Sequence, residues 1–183
     1  VPGTDIEGNP VEHALNSEGL NEFSIPLLDD TQVRQLFNIS IQDIRTRMQE
    51  RFASNLAQLA QRDPTITNPA IAASTMFAGL DNSKEMVALS SLAFTNPSLM
   101  GPKLTAALWY GDRAEAWYEI RYDSNLNGIH ANRRYREANQ FTLYNVAPVE
   151  ADYTSAYRMF TRHKEVILGS DGELGGAQGY EDR

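Results

Sequence analysis

Between Ile41 and Leu59 the apolar residues recur at steps of three and four: Ile41, Ile44, Met48, Phe52, Leu56 and Leu59. A strand would alternate at every second position, so this spacing commits the stretch to a helix with one apolar face. The stripe runs for nearly five turns, roughly 28 Å at 1.5 Å per residue. A helix of that length must be a rod on which other elements pack, because an apolar stripe gains most of its stability from burial. Ser40, followed three residues on by Asp43, resembles a capping box and sets the expected start. Asp63-Pro64 sets the stop, since proline disfavours helix in the residue before it. Upstream, Asp29, Asp30 and Thr31 offer an N-cap to a separate short helix, TQVRQLFN, with Val33, Leu36 and Phe37 on one side.

Further helical patterns come at short intervals. Pro69 stands near the first turn of NPAIAASTMFAGL, which Gly79 is expected to close. Asp81, Asn82 or Ser83 can cap KEMVALSSLAF, which is small and apolar nearly all round and reads as the central buried helix. Asn96-Pro97 ends it, Pro102 starts KLTAALWY, and Asp112 caps RAEAWYEIRY with Ala114, Trp117, Tyr118 and Tyr122 along one side. Pro148-Val149-Glu150 opens a last helix whose apolar residues are Tyr153, Ala156, Tyr157, Phe160, Val166 and Ile167. The expected organisation is an irregular acidic arm over residues 1–29, a helical domain over 30–168, and a glycine-rich acidic tail over 169–183. The fold class is therefore mainly α.

Composition narrows the partners. A chain of 183 residues can bury one proper core. Its net charge of −8 argues against nucleic acid, whose phosphates call for clustered Lys and Arg. No run of apolar residues reaches the roughly 18 needed to insert in a membrane. Absence of cysteine removes a disulfide framework, thiolate metal sites and a thiol nucleophile, and His13, His130 and His163 are too widely spaced to suggest a metal centre. Neither a G-x-S-x-G elbow nor a glycine-rich phosphate loop is present. No cofactor is expected.

The densest polar cluster lies within the stretch from Gly111 to Tyr144. In the helix starting near Ile129, Ala131, Tyr135, Ala138 and Phe141 share one sector, and Arg134 falls inside it with Glu137 at its edge. Arg133 and Glu137 stand four residues apart and can pair. An arginine facing a core needs a carboxylate, or several kcal/mol go uncompensated. Two readings stand side by side: an internal structural ion pair, or an arginine reaching across a cleft to orient a catalytic carboxylate.

The stretch from Glu85 to Tyr144 resembles the C-terminal lobe of phage-type lysozymes, the muramidases of phage endolysins and the pesticin group. Four pieces carry the resemblance in order: MVALSSLAFTN over 86–96, KLTAALWYGDRAEA over 103–116, AWYEIRY over 116–122 and GIHANRRYREANQF over 128–141. The helix over 40–61 then matches the helix joining the family's two lobes. The resemblance implies hydrolysis of the β-1,4 bond between N-acetylmuramic acid and N-acetylglucosamine in peptidoglycan, by a glutamic acid that protonates the leaving oxygen and an aspartate–threonine pair that handles water. It also implies a lysozyme-like domain acting on the bacterial cell wall as a monomer, phage-encoded or secreted. Arg133 and Arg134 match the position from which the family's arginine reaches its catalytic glutamate, with Glu137 as a supporting group.

The N-terminal lobe departs from that pattern. The family's glutamate helix and its hairpin with a T-x-G-x-G signature are not found. VPGTDIEGNPVEHALNS resembles the loop after the glutamate helix, and SEGLNEFSIPLL resembles the segment beyond the hairpin. The expectation is a catalytic helix before Val1 and a reduced or missing small β lobe, with the hairpin lost between about Ser17 and Gly19. If the acid lies in this chain, Glu7 in the Ile-Glu-Gly step is the candidate; the arm otherwise reads as a solvated segment. The alternative function is a non-catalytic lysozyme-like module that binds glycan or a protein, with Trp109, Trp117 and the tyrosines as a stacking surface.

Overall fold

The computed structural model describes residues 14–15, 21–22, 29–125, 130–144 and 146–168. Among them lie seven α-helices: α1 (Asp30–Leu59), α2 (Pro69–Leu80), α3 (Lys84–Thr95), α4 (Pro102–Trp109), α5 (Arg113–Arg121), α6 (Ala131–Phe141) and α7 (Glu150–Leu168). Single 3-10 turns occur at Pro97–Leu99 and Asp123–Asn125. Strands β1 (Ala14–Leu15) and β2 (Asn21–Glu22) form one antiparallel pair, Ala14 facing Glu22 and Leu15 facing Asn21. The protein is mainly α. It divides into two compact units, Val1–Ile39 and Ser40–Arg183. The core and the candidate site both belong to the second. The expected tail over 169–183, and the arm over 1–29 apart from the strand pair and Asp29, lie outside the described residues.

One continuous helix of 30 residues replaces the two expected on either side of Ser40. No glycine or proline interrupts residues 30–59, so the Ser40–Asp43 signature has nothing to cap. The working cap is Asp29: Gln32 N donates to Asp29 Oδ1 at 2.8 Å, while Asp29 N donates to Gln32 Oε1 at 3.0 Å. This reciprocal pair satisfies two terminal donors at once. The stripe behaves as its spacing requires, with Met48, Phe52 and Leu56 fully buried. Each such side chain contributes roughly 2 kcal/mol of hydrophobic stabilisation.

The later helices obey local chemistry. Asn68 caps α2, its Oδ1 accepting from Ala70 N and Ile71 N. Gly79 does not close that helix, which continues to Leu80; the left-handed residue is Asn82, at φ 57°. Of the three cap candidates for α3, Ser83 is used, accepting from Met86 N. Helix α3 is amphipathic and not buried all round: Met86, Leu89 and Leu92 face the core, while Val87 is 58% and Phe94 68% exposed. The sharp α4–α5 corner depends on Gly111 at φ +69°, where Gly111 N donates to Leu108 O and Asp112 N to Ala107 O. Such a paired closure needs a left-handed residue after the helix. Asp112 then caps α5 through Glu115 N.

Packing against α7 forms a second apolar cluster from Ala114, Tyr118, Met159 and Ile167. Of the apolar residues of α7, Tyr153, Tyr157 and Val166 are exposed. The helix bends at His163, whose φ of −110° and ψ of 16° are not helical.

Candidate functional site

Helices α3 and α6 pack side by side and place the predicted polar cluster between them. Ser91 and Thr95 lie four residues apart and so share one face of α3. Opposite them, α6 presents Arg133, Arg134 and Glu137. Arg134 is fully buried and its Nη1 pairs with Glu137 Oε2, while its Nη2 donates to Thr95 Oγ1 at 3.3 Å. Glu137 Oε1 accepts from Arg133 Nε at 3.1 Å and from Ser91 Oγ at 2.7 Å. Arg133 also donates from Nη2 to Ser91 O at 2.8 Å, and its side chain is 41% exposed. Burial lowers the pKa of Arg134, and the Glu137 carboxylate opposes that shift.

Both arginines are thus brought to Glu137, as their spacing allowed. Among the described residues, neither shows an ion pair with a carboxylate on another element. Glu7 lies outside the described residues. Outside this network, Asn132, Arg136 and Gln140 succeed one another at four-residue steps along α6. Together with Val87, Ala88, Ser91, Arg133 and Glu137 they line an open groove of about 570 Å³. That volume falls in the range of small-ligand sites, roughly 300–1,000 Å³. Its polar wall offers guanidinium and amide donors, and Val87 and Ala88 supply an apolar strip. An amphipathic ligand rich in oxygen acceptors suits such a lining.

Three charged groupings escaped the sequence reading. Arg113 joins three helices: its Nη1 contacts Glu85 Oε1 at 2.7 Å, its Nε donates to Thr142 O at 3.0 Å, and its guanidinium lies 4.5 Å from the Phe141 ring. Net lowering of the Glu85 pKa results: burial pushes it up, but hydrogen bonds from its own backbone N–H, Arg113 and Ser83 outweigh this. Glu115 holds His163 Nε2 at 2.6 Å and Arg162 Nη1 at 2.8 Å, fixing the bend of α7, with the His163 ring stacked on Tyr118.

The third grouping surrounds Glu119, which is 3% exposed. Burial above all, then a hydrogen bond with Asp123, pushes its carboxyl up to about 8. The signal was available: Glu119 lies one turn beyond Ala116 in the buried sector of α5, as Arg134 lies in that of α6. Among the described residues no group of three His, Cys, Asp or Glu could hold a metal ion, and no helix is long and apolar enough to cross a membrane. No protein-family model, curated protein or solved structure matches the chain.

Proposed function

We propose that this chain is a lysozyme-like unit that takes a peptidoglycan glycan strand in the α3–α6 groove, and that it serves hydrolysis of the β-1,4 bond between N-acetylmuramic acid and N-acetylglucosamine. The observation carrying this reading is the groove itself, about 570 Å³ with Ser91, Asn132, Arg133, Arg136 and Gln140 above an apolar strip. Sugars offer hydroxyl and N-acetyl acceptors to such donors and a C–H face to such a strip. The order of helices supports it as well: the four segments that resemble the lysozyme C-terminal lobe fall on α3, the α4–α5 corner, α5 and α6.

Cleavage requires a protonated carboxylic acid at the glycosidic oxygen and a second group to handle water or the cationic centre. Glu7 is the candidate acid within this chain. Arg133, whose side chain is 41% exposed, brings positive charge to the groove, while buried Arg134 acts through Glu137, which it pairs with and helps to hold in place.

A second reading is a module that binds glycan without cleaving it. It is favoured by the inward commitment of the cluster, in which Glu137 accepts from Arg133, Arg134 and Ser91. Turbidity clearing and co-sedimentation on purified peptidoglycan separate the two. Hydrolysis predicts clearing that Glu7→Gln abolishes and that paired Arg136→Ala and Gln140→Ala changes weaken through KM. Pelleting with the cell wall without clearing selects the binding module. Absence of both pelleting and clearing refutes the glycan reading altogether.

A further inference from the structure

Helix α6 carries Arg133, Arg134 and Arg136 but a single acid, Glu137. That carboxylate is fully committed: Oε2 pairs with Arg134, and Oε1 accepts from Arg133 Nε and Ser91 Oγ. Arg136 is left over. Among the described residues its guanidinium forms neither an ion pair nor a hydrogen bond. Its neighbours one turn away are Asn132 and Arg133 on one side, Asn139 and Gln140 on the other, so no carboxylate stands at i, i+3 or i, i+4. Across the groove α3 offers Val87, Ala88 and Ser91, and Ser91 is spent on Glu137.

This is a local reversal of charge. The chain carries a net −8, yet Glu137 is the only acid lining the groove, and Arg133 and Arg136 stand three residues apart, where like charges repel. Solvent screens that surplus, and an anionic group on a ligand would meet it directly. The donors indicate which anion. A guanidinium presents parallel N–H groups that match the two oxygens of a carboxylate. Asn132 and Gln140 flank Arg136 with amide N–H donors and add no charge of their own. Arg133 is held by Glu137 and Ser91, which leaves Arg136 to face the ligand.

We infer, resting on the reading of the groove as a glycan site, that Arg136 is its specificity-determining residue and takes a carboxylate carried by N-acetylmuramic acid, on the lactyl arm or on the peptide attached to it. A β-1,4 glycan built only of N-acetylglucosamine offers the same hydroxyl and acetamido groups but no carboxylate. Arg136 therefore separates the two classes of strand by charge.

An amide-resolved NMR titration of the full chain tests this with the disaccharide N-acetylglucosaminyl-β-1,4-N-acetylmuramic acid, which lacks the bond between N-acetylmuramic acid and a following N-acetylglucosamine. Its lactyl carboxyl is left free, converted to a neutral methylamide, or joined to a short peptide that brings its own carboxylates. At low salt at least one acidic form should bind roughly tenfold more tightly than the methylamide, as a charge-assisted contact in an open groove allows. That advantage should shrink as salt is raised. Arg136→Gln should abolish the preference, and Arg136→Lys should keep part of it, as a point charge without the fork. Whichever acidic form carries the gain identifies the source of the carboxylate. Equal affinity of all forms for the wild type, with α3 and α6 amides shifting, overturns the subsite and leaves the glycan reading standing. A preference that survives Arg136→Gln overturns the assignment to this residue, and absence of any shift defeats both the subsite and the glycan reading.

Discussion

Replacing Glu137 by leucine tests the physics of the α3–α6 contact most sharply. The substitution removes the carboxylate that pairs with Arg134, whose side chain is 0% exposed. Stripping one partner from a buried pair costs roughly 3–5 kcal/mol, because the remaining charge is left uncompensated in a dry site. Arg134→Met is different, since Glu137 keeps Arg133 Nε at 3.1 Å and Ser91 Oγ at 2.7 Å. With those donors in place its loss is only ~1–2 kcal/mol. The double variant restores an apolar contact of similar volume and should come within ~1 kcal/mol of the wild type. Urea unfolding of the four proteins supplies the numbers. At a slope of about 2 kcal/mol/M, the Glu137→Leu midpoint falls by ~2 M and the double variant largely recovers it. The coupling between the two changes should reach at least ~2 kcal/mol. The reasoning fails if Glu137→Leu unfolds within ~1 kcal/mol of the wild type, or if the double variant loses the sum of the single losses.

Three further outcomes rest on particular side chains. Glu119 has its carboxyl raised from 4.5 to about 8, so its contribution to stability is complete below pH 4.5 and drains away as pH climbs to 8. Unfolding free energies from urea melts across that window should fall by up to ~1.4 kcal/mol per pH unit from this group, and Glu119→Gln should remove the slope. Gly111→Ala introduces a Cβ that meets nothing within 4 Å but must adopt φ +69°. Its cost is pure backbone strain, ~1 kcal/mol or ~2–4 °C in a thermal melt followed by circular dichroism, and an unchanged Tm would contradict the left-handed corner. Asn68→Ala removes the acceptor for Ala70 N and Ile71 N, both at 3.1 Å, and should cost ~1 kcal/mol, with Asn68→Asp close to neutral in the same assay.

The helical class was legible in the chain because the apolar spacing, the prolines and the caps act locally. Met48, Phe52 and Leu56 are buried as a stripe of that period demands, and Asn68, Ser83 and Asp112 cap the helices they precede. The i, i+4 pairing of Arg133 with Glu137 was likewise written in one turn of α6. Local rules misled where they had no rival to weigh. The Ser40–Asp43 signature lies inside an unbroken helix, and the apolar residues Val87, Phe94, Tyr153 and Tyr157 face solvent because neighbouring helices cover only one side of α3 and α7. What the arginines serve was beyond the sequence, since the answer depends on Ser91 and Thr95, some forty residues away on α3. The same holds for Glu119: its place in the buried sector of α5 could be read from a helical wheel. Its raised pKa arises only once α4 and the Asp123 turn close around it and exclude water, a property of packing that no local spacing encodes.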